Sequence, residues 1–140
     1  RRAVCALRAA LGASRFDVGL VCASNALMQR LNGVYRRCPE PTDVLSFPFH
    51  QLPRPCCRGE YNLGDIFLGV EYIHQQCCET GEDFDDVLTV TAAHGLCHLL
   101  GYRHDTKPEW QQMYQKEVQI LEELNRLTGS RLRPLTAGLF

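Results

Sequence analysis

The sequence predicts one α+β domain spanning residues 1–140, a small mixed sheet packed with helices and a metal-binding helix in its core. Three observations carry this. Short β-rich apolar runs alternate with segments of helical period. No apolar run approaches the roughly 18 residues that a membrane span needs. Three of the five histidines fall between positions 94 and 104 as H-x3-H-x5-H.

The elements follow in order. Val4, Leu7, Ala10 and Leu11 repeat at helical spacing and Gly12 closes that helix. Phe16 to Ala23 reads as a buried strand, and Ser24 as the cap of a helix carrying Leu27, Met28 and Leu31 that ends at Asn32 and Gly33. Val44 to Phe49 reads as a strand whose Pro48 suits a sheet edge. Residues 50–62 hold Pro53, Pro55 and Gly59 and read as a surface loop. Gly64 to Val70 is a further strand, followed by a helix from Glu71 to Cys78. The histidine helix starts near Asp83 or Asp85, with acidic residues that complement its dipole. Thr106 to Glu109 has the form of a capping box with Pro108 in the first turn. That last helix carries Trp110, Met113, Tyr114, Ile120, Leu121 and Leu124 and stops at Gly129.

Composition narrows the class further. Hydrophobic residues make up 45%, enough to fold without staples, so the eight cysteines are expected as free thiols in a reducing compartment. The adjacent pairs Cys56-Cys57 and Cys77-Cys78, and the lack of any C-x-x-C, fit that expectation. A net charge of -1 excludes a polycation, yet thirteen of the fifteen basic residues are arginine. Arginine suits phosphate through its planar fork; arginine-rich codon usage explains the bias equally well. The chain opens at Arg1 without a methionine and reads as a fragment or processed form, with any targeting segment outside it.

The histidine motif carries the chemistry. His94 and His98 lie one helical turn apart on one face, and Gly101 offers a left-handed cap that turns the chain back and delivers His104. Three imidazoles leave a fourth coordination position open, as in catalytic rather than structural zinc sites. One zinc ion is expected, and nickel, copper and iron also suit imidazole. Cys97, between the first two ligands, is expected to pack as a small apolar residue. In the zincin protease pattern H-E-x-x-H the second residue is the general-base glutamate; here it is Gly95.

With these residues in place, the chain resembles the YbeY family of single-domain, metal-dependent endoribonucleases of ribosomal RNA maturation. His94 to His104 (H-G-L-C-H-L-L-G-Y-R-H) resembles the family's H-G-x-L-H-L-x-G-Y-x-H, and Pro41 to Phe49 its P-T-[ND]-V-L-S-F-P-F block. Gly64-Asp65-Ile66 and the Tyr35-Arg36 pair match as well. The likeness looks strongest to animal members, which are mitochondrial; a bacterial source would imply the cytoplasm. The family's N-terminal strand looks absent, residues 50–61 are idiosyncratic, and Gly33 interrupts the approach to Tyr35. The resemblance implies RNA as substrate, and small-subunit ribosomal proteins or an assembly GTPase as partners. It implies no membrane.

Phosphodiester hydrolysis needs positive charge where negative charge accumulates, and not a glutamate base. Arg36 is the catalytic candidate, expected on a loop bordering the site, and the resemblance places the family's functionally important arginine there. Asp65 reads equally as an orienter of a ligand histidine or as a turn cap, and Asp105 as a helix-start carboxylate or a fourth ligand. His50 and His74 read as ordinary, and Phe47 with Phe49 as core. Single-stranded or looped RNA is the expected target, because its bases are splayed. The alternatives are a non-catalytic ribosome-assembly factor with a structural metal and a zincin-like peptidase, which Gly95 disfavours. A deaminase is weaker, for want of its H-x-E glutamate.

Overall fold

The computed structural model describes residues 17–48, 62–129 and 131–135. The helix expected at Val4 to Gly12, the loop at 50–61, His50 and Phe49 lie outside the described residues. Three strands, β1 (Asp17–Ala23), β2 (Val44–Pro48) and β3 (Asn62–Gly69), form a mixed sheet in the order β1-β3-β2. β1 runs parallel to the central β3, and β2 runs antiparallel to it. Pro48 sits on the edge strand, where its missing N–H breaks no ladder bond. Among the described residues four helices accompany the sheet: α1 (Asn25–Arg36), α2 (Val70–Thr80), α3 (Phe84–Leu99) and α4 (Lys107–Thr128). None of them is long and apolar enough to cross a membrane.

Strand alternation divides the core between the two faces of the sheet. Val44, Ile66 and Leu68 meet Ala92, Ala93, Leu96 and Leu99 of α3 and Met113, Ile120, Leu121 and Leu124 of α4. On the other face Leu45, with Phe47 and Phe67 beside it, packs on Met28 of α1. Phe47 stands edge-on between Tyr35 and Phe67, with centroids 4.9 and 5.5 Å away, so it is core as expected.

The local signals mostly hold. Ser24 Oγ accepts from Leu27 N, and Thr106 forms the full capping box with Glu109. The end of α1 is a correction. The helix runs through Asn32 and Gly33 to Arg36, and Arg37 takes the left-handed cap at φ 56°. Asn32 is buried and its amide donates to the Glu40 carbonyl, so a tertiary contact carries the helix past an apparent stop. Strand β1 is a second correction: it lies at a sheet edge with Val21 and Cys22 exposed and Ala23 buried, where a buried strand was expected. Small boundary shifts occur elsewhere: Asn62 opens β3, and α2 reaches Val70 and Thr80.

From Thr91 to Cys97 every residue of α3 is buried, and small side chains let the helix lie close to the sheet. A Cβ on Gly95 would stand 3.0 Å from Ile66 Cγ2, 3.1 Å from Ser46 Oγ and 3.2 Å from Val44 Cγ2. The Ser46 hydroxyl donates to the Gly95 carbonyl at 3.1 Å, tying β2 to the helix. Position 95 therefore points into the sheet and has no room for a longer side chain. Gly95→Glu is expected to destabilise the fold by about 3 kcal/mol or more, from overpacking and a buried charge. Urea unfolding checks this; an unchanged midpoint would show that the helix can move away from the sheet.

Candidate metal centre

α3 places His94 and His98 on adjacent turns of one face, with their Nε2 atoms 3.0 Å apart. The helix ends in a Schellman reversal: Tyr102 N–H donates to the Cys97 carbonyl and Gly101 N–H to that of His98, both at 3.0 Å. Gly101 adopts φ 100°, which only glycine enters freely. The reversal returns His104, whose ring centroid lies 5.4 Å from that of His94 and 5.3 Å from that of His98. One ring nitrogen from each histidine lies within 4.8 Å of the others. Tetrahedral zinc with Zn–N bonds of about 2.0–2.1 Å sets its ligands roughly 3.3 Å apart, so the cluster fits a single ion after a small closure. The three imidazoles suit zinc, and nickel, copper or iron as well.

A buried carboxylate holds the first ligand. His94 is 6% and Glu117 1% exposed, and Glu117 Oε1 lies 2.6 Å from His94 Nδ1. With Nδ1 engaged by α4, Nε2 is left facing His98, the orientation that ligation requires. The second ligand is held neutral. Burial, then the neighbouring His94 and His104, then Arg36, lower its pKa to about 4, against a backbone hydrogen bond at Tyr102. Its lone pair is thus available to an ion. Cys97 does the opposite: burial first, and then the Glu117 charge, push its thiol up to about 12. It stays protonated and packs in the core, fully buried.

The open side of the cluster faces a cavity of about 490 Å3, which Arg36, Asp43, Ser46 and Asp105 also line. Arg36 reaches it from the exposed last turn of α1, not from a loop as the sequence suggested. Asp105 lies at the cavity wall but outside the group of ligand atoms. Asp65 lies elsewhere. It is exposed in mid-β3, paired with Gly19 and Phe47, and its carboxylate sits against Gly19. The carboxylate that meets a ligand histidine is Glu117, which the sequence reading passed over. Its signal was a lone charge within the apolar stripe of Met113, Ile120, Leu121 and Leu124. His74 is exposed and edge-on to Phe84, away from the cluster.

Two outcomes follow from this geometry. Glu117→Gln is expected to weaken zinc binding by about 10–100-fold, read by competition with a chromophoric chelator; wild-type affinity would deny the carboxylate any part in holding His94. Gly101→Ala forces a β-carbon into left-handed backbone and is expected to cost about 1–2 kcal/mol. Displacing His104 should lower zinc affinity in the same variant, and a stability loss with affinity intact would show that the reversal does not position the ligand.

Comparisons with known proteins identify relatives of this chain. The family model described as endoribonuclease YbeY matches residues 2–125. A human protein named endoribonuclease YbeY is 58% identical, over 96% of this chain and 83% of its own length. A protein of the same name from Bartonella bacilliformis is 39% identical, over 77% of this chain and 68% of its own. The solution structure of a Thermotoga maritima protein superposes with a TM-score of 0.61 at 23% identity, covering 90% of this chain and 81% of that one, which shows a common fold. The chain belongs to the endoribonuclease YbeY family.

Proposed function

We propose that this protein is a zinc-dependent endoribonuclease that cleaves single-stranded regions of ribosomal RNA during ribosome maturation. The carrying observation is the three-histidine cluster, supported from behind by Glu117 and open in front to a cavity that also receives Arg36. When bound, a divalent ion there supplies Lewis-acid charge to a phosphoryl oxygen and acidifies water. The chain's own residues do the remainder. His94, His98 and His104 hold the ion, and Glu117 keeps His94 turned toward it. Arg36 presents a fork of N–H donors to the non-bridging phosphate oxygens, where negative charge grows as the P–O bond breaks.

The alternatives fit less well. A peptidase of zincin type needs a glutamate at position 95, where the sheet leaves no space. A purely structural metal site closes its coordination sphere with protein, whereas this cluster fronts a cavity. Likeness to animal members supports a mitochondrial setting, with small-subunit ribosomal proteins or an assembly GTPase as partners.

The decisive comparison uses purified protein with its metal content measured, given labelled single-stranded RNA and, in parallel, casein. Chelation and His98→Ala are each expected to abolish RNA cleavage and leave casein intact. Arg36→Ala is expected to lower kcat/KM by about 10–1000-fold at unchanged zinc content, the range for losing one transition-state donor. RNA cleavage that survives both chelation and His98→Ala would sink the metal-centred reading. Casein cleavage without RNA cleavage would replace it.

A further inference from the structure

The histidine cavity continues into a second compartment. Arg36, Ser46 and His98 line both, and beyond them Pro48, Tyr102 and Arg103 bound a further space of about 310 Å3. The two differ in charge. Asp43 and Asp105 line the first, whereas among the described residues no carboxylate lines the second, which holds two guanidinium groups. Arg36 and Arg103 are both exposed, and neither takes part in the close contacts of carboxylates with basic groups found among the described residues, Glu117 with His94 and Glu123 with Arg126. They come from separate elements. Arg36 is the last residue of α1, and Arg103 lies between the Gly101 reversal and His104. The turn that sets the third histidine thus also sets this arginine.

Two arginines in a concave site, neither paired with a carboxylate of the described residues, match an oxyanion, which each guanidinium can grip with two parallel N–H donors. A polynucleotide repeats its phosphates along the strand. When one phosphodiester lies at the histidines, its neighbour falls in an adjoining space, and carboxylates repel it from any wall they line. We propose that the second compartment is a subsite for the phosphodiester next to the scissile one in single-stranded RNA, with Arg103 as its contact and Arg36 between the two. This rests on the endoribonuclease reading, and the neighbouring phosphate is gripped by charge without regard to base.

The test compares wild type with Arg103→Ala, Arg103→Lys and, as a distant control, Arg126→Ala, on a fluorescein-labelled single-stranded oligoribonucleotide from low to moderate salt. Arg103→Ala is expected to raise KM about 10-fold, with kcat within about twofold, and to reduce the slope of log KM against log salt by about 0.7, as for one lost single-strand phosphate contact. Arg103→Lys keeps the charge and so the slope, with an intermediate KM. Arg126→Ala should match wild type. Anisotropy of the same oligonucleotide, with chelator present to stop turnover, should show a similar loss of affinity for Arg103→Ala. Zinc content and melting temperature identical to wild type exclude damage to the His104 turn. Wild-type KM, salt slope and anisotropy in Arg103→Ala, while RNA is still cleaved, would overturn the subsite and leave the nuclease standing. So would a fall in kcat alone, which would make Arg103 a support for His104. A wild-type protein that neither binds nor cleaves RNA would remove the nuclease reading and the subsite with it.

Discussion

A histidine buried in the middle of a small core has to be paired, and the contact between His94 and Glu117 is the constraint on which the rest of this structure depends. A buried polar group left without a partner costs about 1–3 kcal/mol, and a lone buried carboxylate more. Each of these two groups therefore makes the burial of the other tolerable. The pairing also sets how α4 lies against α3, because Glu117 stands within the stripe of Met113, Ile120, Leu121 and Leu124 that fills the core. Helix packing and ligand orientation are consequently one problem. Any shift of α4 that improved the apolar contacts at the expense of the 2.6 Å contact would also turn the His94 ring.

The opposite side of α3 is constrained by shape, not by charge. Ala92, Ala93 and Gly95 let the helix approach the sheet until Ser46 hydrogen-bonds the Gly95 carbonyl. In a protease of related ligand spacing, the position of Gly95 carries the general base. Here Ile66, Ser46 and Val44 occupy the space that side chain would need. Glycine at this position is thus part of the helix–sheet contact, and a glutamate there would have to displace the sheet side chains. With glycine at position 95, the permanently positive side chain that lines the histidine cavity is Arg36.

The sequence was informative where the determinants are local. The spacing of His94 and His98, the glycine turn before His104, and the caps at Ser24 and Thr106 each depend on a few adjacent residues. They are legible for that reason. The end of α1 was not, because Asn32 and Gly33 resemble a stop until the Asn32 amide finds the Glu40 carbonyl. Arg36 consequently extends from a helix terminus when a loop was expected. Glu117 was harder still. It lies 23 residues from its partner, and only the fold shows that a charge in an apolar stripe meets a histidine there. Asp65 had the right chemistry in a plausible strand, but it belongs to a part of the sheet away from the ligands.

Whole-chain charge was a poor guide to the site. A net charge of -1 conceals a local concentration of positive charge: Arg36 lines the cavity of the three histidines, and Arg103 lines the compartment next to it. The His98 ring is kept neutral in that setting by burial and by its positively polarised neighbours, so it adds a lone pair and no charge. On the endoribonuclease reading, the imidazole nitrogens would take a cation and the permanently charged guanidinium groups the phosphate. Glu117 is kept out of the cavity, buried against His94 Nδ1. Asp43 and Asp105 remain at the cavity wall, and they restrict the direction a polyanionic strand can follow.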